Sequence, residues 1–183
     1  MPAMSNQLQP SLKNKSVKAV PLQPSHFKSL YAAAADPLIW EQHPNKNRWQ
    51  LQDFENYFKG AIESGGALLV MDAVTNETIG CSRYYDYDAA VNDIAIGYTF
   101  FVRSHWGHQY NYALKQLMLD HIFQFVHLVN FFIGALNKRS QISIERFGAI
   151  KNREQEMAYY GEPMKLDFVY VITKEKWEQK KAV

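Results

Sequence analysis

From about 92 to 136 the chain reads as apolar strand, glycine-bearing turn, long amphipathic helix, apolar strand, and this stretch constrains the fold more than any other. NDIAIGYTFFV, about 92–102, is rich in β-branched and aromatic residues. Strict alternation places Ile94, Ile96, Tyr98 and Phe100 on one face. Leu128 to Leu136 is a near-continuous apolar run, the signature of a buried strand. Between them the spacing predicts a helix over about 108–125, with Leu114, Leu117, Met118, His121, Ile122 and Phe125 turned inward. Strands joined through a helix can lie parallel, whereas tight turns join antiparallel neighbours.

Antiparallel pieces flank this unit. Val17 to Leu22 reads as a first strand, and two apolar runs around Thr75-Asn76 form a hairpin. Two more strands fall near 149–159 and 166–172. Helices are predicted over 26–35, around Phe54 to Ile62 with a stop at Gly65-Gly66, from an Asn137 cap to Phe147-Gly148, and over 174–180. The sum is a mixed α/β (α+β) sheet with helices packed on it.

A chain of 183 residues makes one ordinary domain. Residues 1–15, with Pro2, Pro10 and several amides, read as a flexible polar tail, leaving 16–183 as the single domain. A net charge of +2 argues against a dedicated nucleic-acid binder. The lone cysteine, Cys81, excludes an internal disulfide and a Cys-based zinc site. No apolar run reaches membrane-spanning length, and the N-terminus lacks the apolar core of a signal peptide, so the expectation is a cytoplasmic protein with no membrane partner.

The strongest local feature for chemistry is the junction VRSHWGHQYNY. A helix opening exposes unpaired N–H groups and the positive end of the dipole, so it can hold a phosphate; it can equally be a plain connection. His105 and His108 lack a third ligand at metal spacing, so no metal is expected. His121 reads as a core histidine with one hydrogen bond. Asn137 and Ser140 fit a helix cap, the side chain at 137 meeting the N–H at 140. Trp40, Trp49, Tyr84, Tyr85 and Tyr87 form either core or an aromatic wall. Adjacent Tyr84 and Tyr85 must point to opposite faces.

Several pieces occur in a telling order: Asp36-Pro37-Leu38-Ile39-Trp40, Ile96-Gly97-Tyr98, Trp106-Gly107, Leu117-Met118-Leu119, Asn137-Lys138-Arg139-Ser140, Phe147-Gly148-Ala149, and Tyr170-Val171-Ile172 with Glu175-Lys176-Trp177. On these the chain, over roughly Val17 to Trp177, resembles the GCN5-related N-acetyltransferases (GNAT), in the branch of the ribosomal-protein-serine/alanine N-terminal acetyltransferases. The resemblance implies a twisted sheet splayed between the fourth and fifth predicted strands, 92–102 and 128–136, with helices on both faces. It implies direct transfer of an acetyl group from acetyl-CoA to a primary amine, a protein N-terminus or a small molecule, without metal.

The family's diphosphate motif, R/Q-x-x-G-x-G/A, falls on Trp106, Gly107, His108, Gln109, Tyr110 and Asn111. Gln109 stands where glycine is usual and Asn111 where glycine or alanine is usual. The resemblance assigns the pantetheine arm to Asn137 and the proton donor for the leaving thiolate to Ser140. It places the oxyanion donor on the backbone around Gly97 to Phe100, with Tyr98 and Phe100 at the cofactor. Arg103, Lys138 and Arg139 are the candidate cations, Arg139 the one assigned to the cofactor. Relatives in this branch carry Glu before Ile-Gly-Tyr, where this chain has Ala95. Asp93, on the same face by alternation, is the candidate base through water, and Glu41 a candidate acceptor-groove residue; each can also be plain surface. Two rivals stand beside the enzyme: a catalytically weak or inactive CoA-binding or regulatory module of the same fold, and a structural subunit forming a homodimer through its aromatic surface.

Overall fold

The structure, a computed structural model, describes residues 4–158 and 164–182. Residues 1–3 of the expected tail and residue 159 of an expected strand lie outside the described residues. The elements are β1 (Leu12–Lys13), β2 (Val17–Pro21), α1 (Phe27–Ala34), α2 (Leu51–Glu63), β3 (Ala67–Asp72), β4 (Thr78–Asp88), β5 (Asp93–Phe101), α3 (Tyr110–Ile122), β6 (Leu128–Gly134), α4 (Lys138–Glu145), β7 (Ile150–Ala158), β8 (Met164–Thr173) and α5 (Lys174–Lys181). The eight strands form one sheet in the order β1-β2-β3-β4-β5-β6-β8-β7. Every pairing is antiparallel except β5 with β6, the pair joined through α3. The fourth and fifth predicted strands are thus β5 and β6.

Strand alternation feeds two cores. Val17, Leu68, Val70, Ile94 and Ile96 pack with Leu114, Met118 and Ile122 of α3 and with Trp177 of α5. Leu69, Cys81 and Phe100 pack on the other side with Leu30 of α1 and Phe54 and Ala61 of α2. Helices therefore cover both faces. Tyr84 and Tyr85 part as alternation requires: the Tyr84 hydroxyl donates to the Met118 carbonyl at 2.7 Å, and Tyr85 meets Tyr98 edge-on at 5.0 Å.

Three sequence expectations change. Residues 4–15 lie docked on the sheet: β1 pairs with β2, the Gln9 amide donates to the Ala67 carbonyl, and the Gln7 carbonyl takes the hydrogen bond expected of His121 at 2.8 Å. Met4, Leu8 and Leu12 supply the apolar contacts; they recur every fourth residue, but Pro10 between them interrupts a helical reading. The buried positions of α3 include Lys115 and Leu119 where Leu117 and His121 were expected. Finally, the faces of β5 switch midway. Ile94 and Ile96 face α3, but Tyr98 and Phe100 join the α1–α2 side. Between the pairs Arg83↔Gly97 and Cys81↔Phe100, one residue of β4 opposes two of β5. This bulge puts Tyr98 at φ +51° and inverts the alternation beyond it.

Candidate active-site cleft

The bulge lies just beyond the end of a seam. β5 and β6 pair only over Asp93↔Leu128, Ile94↔Val129 and Ala95↔Asn130. Beyond Ala95, β5 stays with β4 as far as Phe101, while β6 stays with β8 as far as Gly134. The parting strands open a cleft of about 750 Å³, lined by residues 96–101, 131–134, the start of α3 and the inner face of α4. Gly97 stands where the strands diverge, and a Cβ there would sit 3.0 Å from the Tyr85 ring.

The bulge is braced from behind. The Tyr57 hydroxyl donates to the Tyr98 carbonyl at 2.9 Å. The Arg83 guanidinium lies 3.9 Å from the Tyr98 ring centroid, and that of Arg48 lies 4.9 Å from the Tyr57 ring. Both arginines are buried, and guanidinium keeps its charge when buried, so the tyrosine faces solvate it. His43, beside Arg48, is held far below its usual basicity by burial and by the Arg48 and Lys165 charges.

At the other end α3 opens toward the cleft. Gly107 has φ +77°, and Gln109, the N-cap, sits in the left-handed region at φ +64°. This is why α3 starts at Tyr110 rather than 108. A non-glycine residue there costs about 1 kcal/mol. The Gln109 side chain does not cap the first turn, whose N–H groups and positive dipole end open the helix. Asp72 anchors the opening: it accepts from the Val74 and Thr75 N–H groups and from the Tyr110 hydroxyl at 2.8 Å. Those three bonds lower its carboxyl to about 2, the backbone donors most.

Most expected site residues meet in the cleft. Tyr98, Phe100, Trp106, Gly107, Gln109, Tyr110, Asn111, Asn137, Arg139 and Ser140 all line it. Gln109 is exposed and does not fill it. Asn111 donates to Ser143 Oγ at 2.8 Å, leaving its buried Oδ1 without a partner. Asn137 caps α4, its Oδ1 accepting from the Ser140 N–H at 3.2 Å. Arg139 lies 4.4 Å from the Trp106 ring centroid and pairs with Glu41 at 3.2 Å.

Two expected residues do not join them. His108 is exposed on the turn and is not a cleft residue. Asp93 lies at the paired end of the seam, opposite Leu128, where its carboxylate accepts from Asn130 Nδ2 at 2.7 Å. It borders a separate basin of about 440 Å³ with Asp86, Asp88 and Arg153. The geometry thus withdraws the base expected of Asp93: alternation counts faces, and it does not see where two strands stop pairing. Arg103 is tied to Asp36 and Lys138 to Gln141, both away from the cleft wall.

One cleft residue escaped sequence reasoning. Lys115 is buried, and its Nζ donates to Ser82 Oγ at 3.1 Å and to Thr99 Oγ1 at 2.5 Å. Burial lowers its amine to about 7. The signal was legible: 115, 118, 119 and 122 follow helical spacing, so this lysine sits on the apolar stripe.

The cleft's donor set suits the acyl donor that the resemblance implies. An uncapped helix start fits a diphosphate, and the unpaired Asn111 Oδ1 fits an amide N–H.

Comparison with known proteins agrees. No curated protein sequence matches the chain. Among solved structures, a GCN5-related N-acetyltransferase from Brucella melitensis is 17% identical with a TM-score of 0.78, over 95% of this chain and 83% of that one. A GNAT-family acetyltransferase from Bacillus anthracis is 14% identical with a TM-score of 0.71, over 91% and 99%. Spermidine N-acetyltransferase from Vibrio cholerae, solved with CoA and spermine, is 13% identical with a TM-score of 0.68, over 90% and 99%. These share the fold. The model of the acetyltransferase (GNAT) domain matches residues 18–150. With a splayed sheet, a braced bulge and an open helix start in place, the chain belongs to the GNAT acetyltransferase domain family and is an acyltransferase.

Proposed function

We propose that the protein transfers an acetyl group from acetyl-CoA directly to a primary amine. The observation that carries this reading is the end of β5–β6 pairing at Ala95, which opens a cleft running to the uncapped start of α3. The diphosphate rests on backbone N–H groups between Gly107 and Asn111. The pantetheine arm lies between β5 and β6, with Asn111 and Asn137 as its polar contacts and Ser140 toward the sulfur. Arg139 borders the cofactor. The bulge around Gly97 to Phe100 supplies the N–H that steadies the carbonyl oxygen as charge develops.

The acceptor enters from the opposite side, past Tyr85 and the basin carrying Asp86, Asp88 and Asp93. A peptide N-terminus fits the resemblance to the ribosomal-protein branch. A polyamine is the ligand of the similar Vibrio enzyme. One feature favours a second reading, a CoA-binding module with weak turnover: Gln109 occupies a left-handed position that glycine adopts freely.

Calorimetry with CoA, followed by thiol release from acetyl-CoA with spermine and with peptides beginning in Ala or Ser, tests both. Heat of binding with amine-dependent thiol release is expected. Binding with no release on any acceptor supports the module. No heat at millimolar CoA overturns both.

A further inference from the structure

Acetyl transfer needs somewhere for a proton to go. An attacking amine that becomes an amide must lose one, and the departing thiolate must gain one. Among the described residues lining the cleft there is no Asp or Glu. Of its histidines, His43 is surrounded by donors: Nδ1 accepts from the Asn45 N–H at 2.9 Å, and Nε2 lies 3.2 Å from Arg48. His105 sits at the mouth, edge-on to the Tyr110 ring, with Nε2 3.7 Å from Asp72.

Lys115 is placed differently. Its Nζ touches Thr99, a residue of the bulge itself, and Ser82 beside it; the two hydroxyls lie 2.8 Å apart. A neutral amine has two N–H bonds and one lone pair. Its two donor contacts occupy both N–H bonds and leave the lone pair, on a side chain that lines the cleft.

We infer that Lys115 is the base of the transfer, taking the proton from the acceptor amine at the bulge and returning it to the leaving thiolate. The inference rests on the acetyl-CoA reading above. The acceptor nitrogen bonds to the thioester carbonyl carbon and its proton passes to Lys115 Nζ. The C–S bond then breaks, and the sulfur leaves with the electron pair and collects that proton. Lys115 ends neutral, and no proton is gained or lost overall.

Burial, which holds the amine at about 7, supplies a base poised at neutral pH. On β4 the titratable neighbour acting on it is the Cys81 thiol, itself pushed up by burial. From β5 it meets the neutral Thr99 hydroxyl. Across the cleft stand His43, Tyr85 and Tyr98 on one wall and His105, Tyr110 and Tyr112 at the helix opening. Arg139 of α4 and Arg146, just past its end, line the same cleft.

The test has two arms on the full chain. In the first, protein labelled with carbon-13 at lysine Cε is titrated by NMR, the Lys115 signal being identified by its loss in Lys115→Met. A midpoint near 7 is expected; titration with surface lysines, at about 10.4, overturns the inference. In the second, thiol release with spermine or an Ala-initiated peptide is followed from pH 6 to 9. Lys115→Met should lower kcat about 100-fold and flatten the acidic limb, with CoA affinity by calorimetry within about twofold and folding checked by melting. Thr99→Val, which keeps the amine but removes a partner of its charged form, should move the limb to lower pH. A wild-type rate and limb in Lys115→Met overturns the inference. So does mass spectrometry showing a stable acetyl group on Lys115, which would make it acceptor rather than base. Loss of CoA binding in the wild type strikes the acetyl-CoA reading itself, and calorimetry separates that failure from this one.

Discussion

From Asp93 to Ala95, β5 is hydrogen-bonded to β6; from Ile96 onward the same two strands part around a cleft. The halves do not differ in hydrophobicity. Ile94 and Ala95 are as buried as Ile96 and Phe100, and Val129 is matched by Phe131. What differs is one inserted residue. The bulge at Tyr98 shifts the register of β5 against β4, and the Tyr57 hydroxyl donates to the Tyr98 carbonyl. An apolar strand is thus a poor indicator of a site, and the place where its pairing ends is a good one. The paired half stays outside the cleft; the parted half lines it and holds Thr99, the partner of Lys115 of α3.

The comparison breaks most readily at Gly97. Gly97→Val would drive a side chain into Tyr85 at the point of divergence. A stability loss of about 1–3 kcal/mol is expected by thermal melting, with CoA affinity down about tenfold. Unchanged affinity would show that the divergence does not shape the cleft. Tyr57→Phe removes only the brace. It should cost about 1 kcal/mol in denaturant melts and lower kcat/KM by about tenfold without altering the fold, because a loosened bulge aims its N–H less well.

Gln109→Gly relieves the left-handed strain at the far end of the open half. The gain of about 1 kcal/mol or more from strain is partly offset by glycine's greater chain entropy, so about 0.5 kcal/mol of net stabilisation is expected. CoA should bind slightly tighter; weaker binding would mean that the Gln109 side chain itself contacts the ligand. The smallest effect belongs to the paired half. Asp93→Asn should leave kcat within about twofold and change stability by under about 1 kcal/mol. A large loss of kcat would return the carboxylate to the chemistry and sink the distinction between the halves.

Much of this was legible beforehand. The β5–α3–β6 unit showed in its apolar runs and helical stripe. Asn137 announced itself as a cap, and the structure caps α4 with it. Most of the residues named from the family motif line one cleft. The misses share a cause. Asp93, the faces of Tyr98 and Phe100, and the docked residues 4–15 were each judged by local regularity. A bulge, the end of a pairing and a tail held by scattered contacts depend on partners remote in the chain. Lys115 was readable from its spacing alone, but its meaning was not, since a lysine on an apolar stripe can also extend its head to water.

By itself, then, the sequence determined the element order, the two apolar faces of the sheet and the residue types around a helix opening, because hydrophobic spacing and capping act over a few neighbouring residues. Tertiary structure alone decided where β5 and β6 separate, which side each β5 residue faces beyond the bulge, and that Lys115 lies between the Ser82 and Thr99 hydroxyls. Those outcomes are set by packing between segments tens of residues apart, where the pairing of one strand withholds it from another.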